Sequence, residues 1–160
     1  KNIFFCIDST DDFLETWLEQ LVGALRSQVI KIHSNDRDLY HAICILNCGL
    51  ITSLIAHSSK LWAHIGIDSE IGLQATLPML KTTLDSISKF GSLESITGPL
   101  IRGDTKTIKR HLQVLDKYSK DSKKLYMYLS ALTIDVGKSR FNFSDAKLHE
   151  IRQILDLDSK

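Results

Sequence analysis

The chain opens with a β-rich run, Ile3 to Ile7, that stops at the polar cluster Asp8-Ser9-Thr10. Such clusters start helices, so Ser9 or Thr10 is expected to cap the next element, with Asp11 and Asp12 at its positive end. Phe13, Leu14, Trp17, Leu18, Leu21, Val22 and Leu25 then recur at helical spacing and predict one broad apolar face. Val29 to Ile32 is a short β-branched run and reads as a second strand. Parallel strands need a crossover between them, which this strand–helix–strand opening supplies. Two strands make a poor sheet, so the opening is expected to need further strands as partners.

From Asn35 the pattern changes. Asn35 to Asp38 is a polar helix start, and the run from Leu39 to about Ile65 contains no Pro and one Gly. Its apolar residues, Leu39 and Ile43 through Leu54 and Ile55, surround almost the whole helix circumference. A helix apolar all round is a buried one, and a second subunit is the expected cover. Asp68 should cap the next helix, which Pro78 is expected to interrupt or restart before it ends near Phe90 and Gly91-Ser92. Ser92 can cap a short turn through Ile96. Thr97 to Asp104, TGPLIRGD, reads as a loop, after which Asp104 caps a helix through about Tyr118 with the stripe Ile108, Leu112 and Leu115. Two more helices are predicted near Ser122–Val136 and Ser144–Leu155. The fold class is therefore mainly α, a multi-helix domain over residues 35–160 behind a short strand–helix–strand piece over residues 1–34.

Composition narrows the function classes. In 160 residues, 43% are apolar and 24% charged, and the formal net charge is +1, so bulk electrostatics points to no nucleic acid or other polyanionic partner. No membrane span is expected: the most apolar window, Ala42 to Ala56, is broken by Asn47, Thr52 and Ser53. The apolar run at residues 3–7 is too short for a signal-peptide core. The chain begins without Met, in what reads as the middle of a sheet, and is expected to be part of something larger. Cys6, Cys44 and Cys48, an odd number without framework spacing, suggest reduced thiols and a cytoplasmic setting.

His41, Cys44 and Cys48 share a helix face, but zinc sites draw ligands from separate segments or tight knuckles, so no metal is expected. His57 and His64 read as solvated or capping residues. The basic patch Lys106, Lys109, Arg110 and His111 reads as a solvated face. No GxGxxG, P-loop, HExxH or GxSxG sequence occurs. Two places remain. Leu39-Tyr40-His41 sits at the entry of the apolar helix, where a cleft between the helical and α/β parts is expected. The TGPLIRGD loop carries Arg102, whose guanidinium suits a planar anion.

The segments LYHAICIL (39–46), IGIDSE (65–70), LPMLKTTLDSI (77–87) and ITGPLIRGDTKTIKRHL (96–112) resemble an uncharacterised-domain family. That domain forms the C-terminal part of Rossmann-like oxidoreductases, relatives of pyrroline-5-carboxylate reductase and the alternative-type ketopantoate reductases, with a helical part like the C-terminal domain of 6-phosphogluconate dehydrogenase. The resemblance implies that residues 1–34 are the closing strands of a nucleotide-binding domain whose Gly-rich turn, binding NADPH or NADH, lies elsewhere. It implies that the helical part supplies a homodimer interface and one wall of a cleft for a small anionic substrate. His41 matches the family's "YHA" histidine and becomes the candidate proton donor or carbonyl polariser. Thr97, Gly98, Pro99 and Arg102 match the family's loop and become substrate-binding candidates, with Asp104 read as a helix cap. Asn47 is a further substrate-binding candidate, although many members carry Asn near the position of Gly49, about 200° around the helix from it.

The expected activity is reduction of a small 2-oxo acid, ketopantoate-like, or of an imine by the complete enzyme. The alternative is a helical dimerisation module without activity in isolation.

Overall fold

A computed structural model describes residues 3–157. Two compact units divide inside one helix, the first ending at Leu54 and the second beginning at Ile55.

In the first unit, β1 (Phe4–Ile7) and β2 (Gln28–Lys31) pair in parallel across α1 (Asp12–Ala24), with Phe4 opposite Gln28 and Ile7 opposite Lys31. The cap of α1 is Asp11 rather than Ser9 or Thr10: its carboxylate accepts from the Leu14 N–H at 2.7 Å. Ser9 instead braces the turn, its hydroxyl accepting from the Asp11 N–H at 3.0 Å and donating to the Asp11 carbonyl. An aspartate one step nearer the helix outcompetes the hydroxyls because its charge also meets the helix dipole. The Lys31 ammonium lies between Glu15 and Glu19, which push its pKa upward, but these groups are exposed and add little stability.

The expected long apolar helix arrives as two, α2 (Arg37–Asn47) and α3 (Gly49–Ser59), after a short 3-10 turn at Ser34–Asp36. They join at Cys48, whose backbone departs from helical values at φ −125° and ψ −69°. Beside the break, the Asn47 amide donates to the Ile43 carbonyl at 3.0 Å, competing for a ladder acceptor, and the flexible Gly49 follows. With the 3-10 turn Lys60–Ile65, the stretch Ser34–Ile65 is nevertheless long and apolar enough to cross a membrane, and none of its most apolar window is buried within the chain. This corrects the expectation that Asn47, Thr52 and Ser53 break the apolar window. All three turn their side chains onto the backbone carbonyl four residues earlier, so each pairs one donor with its own backbone. Leu39, Leu46 and Leu50 are 63%, 60% and 51% exposed, so this surface calls for a cover from outside the chain.

The second unit continues with α4 (Ser69–Phe90), α5 (Thr105–Tyr118), α6 (Lys120–Gly137) and α7 (Asp145–Ile154). Its core is Leu100, Ile108, Leu112, Ile134, Ile151 and Leu155, contributed by α5, α6, α7 and the loop before α5. Asp68 caps α4, accepting from the Glu70 and Ile71 N–H groups. Pro78 does not end α4, which passes through it unbroken. Proline forfeits one ladder bond, to Gln74, and both residues are exposed, so solvent can take over the orphaned carbonyl. Ser119 caps α6, three residues ahead of the expected start, and Ser144 caps α7.

One close approach fixes the start of α4. The Trp62 indole lies so near Gly72 that an added Cβ would sit 2.2 Å from its Cγ. Gly72→Ala is expected to push the indole out of its seat and lower stability by about 1–3 kcal/mol, the usual range for overpacking. Denaturant unfolding followed by tryptophan fluorescence measures both effects, and unchanged stability with unchanged fluorescence would contradict this packing.

Candidate functional site

The TGPLIRGD segment is a loop whose ends are pinned and whose middle is displayed. Leu100 is buried in the core, while Thr97 and Arg102 are exposed and Gly98 and Pro99 half-buried. Backbone bonds close the loop: the Gly103 N–H donates to Leu100, and the Asp104 N–H to Pro99 at 2.9 Å. Gly103 requires its lack of a side chain twice over. Its φ is +65°, and a Cβ there would meet the Phe143 ring at 2.9 Å. Phe143 stacks on Phe141 with ring centroids 4.8 Å apart, so the loop rests on an aromatic base.

Asp104 is the N-cap of α5. It accepts from the Thr107 hydroxyl at 2.7 Å and from the Thr107 N–H at 3.0 Å. The Thr107 hydroxyl bond, then its N–H bond, hold the carboxyl below its usual range, helped by the charges of Arg102 and Arg110. Arg110 completes the chain by donating to the Thr107 hydroxyl at 3.0 Å. Asp104 therefore has its acceptors engaged in structure, as the cap reading requires. Arg102 has no ion pair or hydrogen bond among the described residues, which leaves its whole fork open to a ligand.

A lowered carboxyl pKa contributes stability above the unfolded value and loses it as pH falls through the folded one. Asp104→Asn keeps a cap but not the charge. Wild type is therefore expected to melt a few degrees above Asp104→Asn at neutral pH, and the gap should close as pH falls below about 4. Thermal melts across that range check it, and a pH-independent gap would refute the charge's role.

His41 and Asn47 lie on α2, apart in sequence and in unit from the loop. His41 is exposed and makes no hydrogen bond among the described residues. Asn47 spends one amide N–H on Ile43, which leaves its second N–H and its carbonyl oxygen for a ligand. The structure thus gathers Thr97, Gly98, Pro99 and Arg102 on one loop, and His41 and Asn47 on one helix.

A cleft of about 570 Å³ in the first unit opens at Tyr40, where the sequence led us to expect one, but His41 is not among its lining residues. Its lining includes Cys6, Asp8, Leu21, Arg37 and Tyr40. Arg37 is ion-paired to Asp8, which is largely enclosed at the carboxyl end of β1. A hydrogen bond with Cys44, then the proximity of Cys44 and Cys6, pushes the Tyr40 phenol up. Asp8 directly after a strand was the available signal, since ligands of parallel sheets gather at strand carboxyl ends. His57 proves to be a bracing residue: its Nε2 and the Ser122 hydroxyl are 2.9 Å apart, and Ser122 donates to the cap Ser119. Among the described residues no three His, Cys, Asp or Glu side chains converge as a metal site.

The turn from β1 to α1 does not fit a dinucleotide pyrophosphate. It carries Asp8, Asp11 and Asp12 and no glycine, and the Asp11 carboxylate already occupies the helix N-terminus.

Residues 3–133 match the model of a family described as a domain of unknown function, DUF2520. The chain belongs to that family. No curated protein sequence matches it. Its fold is shared with two crystal structures. One is a Bacteroides fragilis protein whose name proposes an NADP oxidoreductase, 22% identical at a TM-score of 0.70, the match covering 86% of this chain and 51% of that one. The other is a Thermotoga maritima protein with no activity in its name, 22% identical at a TM-score of 0.71, covering 86% of this chain and 54% of that one. The DUF2520 chain thus spans about half the length of these structures and shares with them a mostly helical fold behind a short parallel strand pair.

Proposed function

We propose that this DUF2520 chain is the substrate-side, dimer-forming part of an NAD(P)-dependent reductase acting on a small 2-oxo acid, ketopantoate-like, or on an imine. The observation that carries the reading is the displayed Arg102 on a pinned loop, in a fold shared with a protein whose name proposes an NADP oxidoreductase. A nicotinamide would supply the hydride. This chain's own βα turn offers no cradle for the pyrophosphate, so cofactor binding belongs to residues outside those described.

The roles left to this chain are binding and proton transfer. Arg102 receives the substrate carboxylate through paired N–H bonds, and the Thr97–Pro99 backbone shapes the wall beside it. His41, exposed and unengaged, gives a proton to the oxygen or nitrogen that becomes basic on reduction. Asn47 contributes its carbonyl oxygen as an acceptor or its second amide N–H as a donor.

The test is steady-state NADPH and NADH oxidation by the complete gene product against a panel of 2-oxo acids and cyclic imines. Oxidation that depends on one of them supports the reading. Absence of both turnover and nicotinamide binding would return the chain to a non-catalytic role.

That second reading, a helical dimerisation module, is favoured by the uncovered apolar surface of α2 and α3. It is nested within the first. Light scattering of the 160-residue chain in detergent-free buffer should give a dimer mass. A monomer at high concentration, or a chain soluble only in detergent, would contradict the subunit as the cover.

A further inference from the structure

The second unit holds a cleft of about 620 Å³ between α5, α6 and the end of α7. On α5 it is lined by residues from Lys109 to Asp116, and no residue of the TGPLIRGD loop lines it. Leu112, Met127 and Ile154 give it an apolar floor, continuous with the core through Leu112. Four lysines, Lys109, Lys120, Lys123 and Lys124, stand around that floor against two carboxylates, Asp116 and Asp156.

Local pairing of these cations is partial. Asp116 accepts a hydrogen bond from Lys123 at 2.9 Å, and that bond, then the charges of Lys123 and Lys120, hold its carboxyl below the usual range. Lys109 stands 3.8 Å from Glu150, and Lys124 is 4.0 Å from Asp121 with both side chains at least 80% exposed, so solvent screens that pair. Lys120 has no ion-pair partner among the described residues, and it opens α6, whose dipole adds positive potential at the same end. Positive charge beside an apolar floor is complementary to a molecule that is anionic at one end and apolar along its body. The volume is that of a small-molecule site.

We propose that this cleft binds a soluble small amphiphile, a single anionic phosphate or carboxylate head on an apolar body, independently of the reductase reading. The head lies among Lys120, Lys123 and Lys124, and the body rests on Leu112, Met127 and Ile154.

The chain has two methionines, and they make the test internal: Met127 lines the cleft, while Met79 lies elsewhere on α4. Methyl-labelled methionine NMR of the 160-residue chain is titrated with octyl phosphate below its micelle concentration, with inorganic phosphate, and with octanol. Octyl phosphate is expected to shift Met127 saturably and leave Met79 unmoved, with either half alone binding much more weakly. Lys120→Gln with Lys124→Gln, both on exposed side chains, should weaken octyl phosphate about fivefold without altering the melt. Equal shifts at both methionines, no saturation, octanol binding as tightly as octyl phosphate, or indifference to the lysine substitutions would each overturn the proposal.

Discussion

His41→Ala is expected to lower kcat for the 2-oxo acid or imine about 10²- to 10⁴-fold, the range a positioned general acid contributes. The fold should be unaffected, because the ring is exposed and holds no hydrogen bond among the described residues. That combination separates the functional role from a structural one. A core histidine replaced by alanine would leave a cavity and lower the melting temperature. A bracing one, such as His57 on Ser122, would loosen a helix cap. For His41 a normal melt with collapsed turnover is the expected pair of results, whereas normal turnover would take the proton-transfer role away from it.

The second large effect falls on Arg102. Replacing it with Ala is expected to raise KM for a 2-oxo acid about 10- to 100-fold, the worth of charged hydrogen bonds to a carboxylate, with a smaller change in kcat. Arg102→Lys should recover only part of the loss, since an ammonium cannot reproduce the two-pronged geometry. The loop itself should stay in place, because its shape rests on Gly103 against Phe143 and on the Asp104 cap rather than on the arginine.

These predictions stand on features of unequal legibility. Helix starts at Asp68 and Asp104 were readable because a cap is a local bargain, struck within three residues of sequence. The same locality misleads where neighbours compete, as when Asp11 displaces Ser9 and Thr10. Pro78 and Cys48 show a different limit. Whether a helix ends or continues there depends on which carbonyls find another partner, and periodicity carries no such information. The apolar window failed for a related reason: Asn47, Thr52 and Ser53 are polar as letters, yet each donates a hydrogen bond to the backbone four residues earlier.

The candidate site divides in the same way. The TGPLIRGD loop is contiguous and could be singled out from its Gly-Pro and Gly-Asp punctuation. The Asp8–Arg37 pair joins residues 29 apart, and the His57–Ser122 contact joins residues 65 apart. Neither has a periodic signature, so only the folded chain brings them together. The apolar face of α2 and α3 was legible as something needing a cover, but a sequence pattern does not choose the cover.

The most direct measurement of the central claim compares a 2-oxo acid with its carboxamide as substrate, in wild type and in Arg102→Ala of the complete gene product. If Arg102 holds the carboxylate, wild type should prefer the acid by about tenfold or more in kcat/KM, and the variant should lose most of that preference. The same preference retained without the guanidinium would contradict the assignment of this loop as the substrate's anchor.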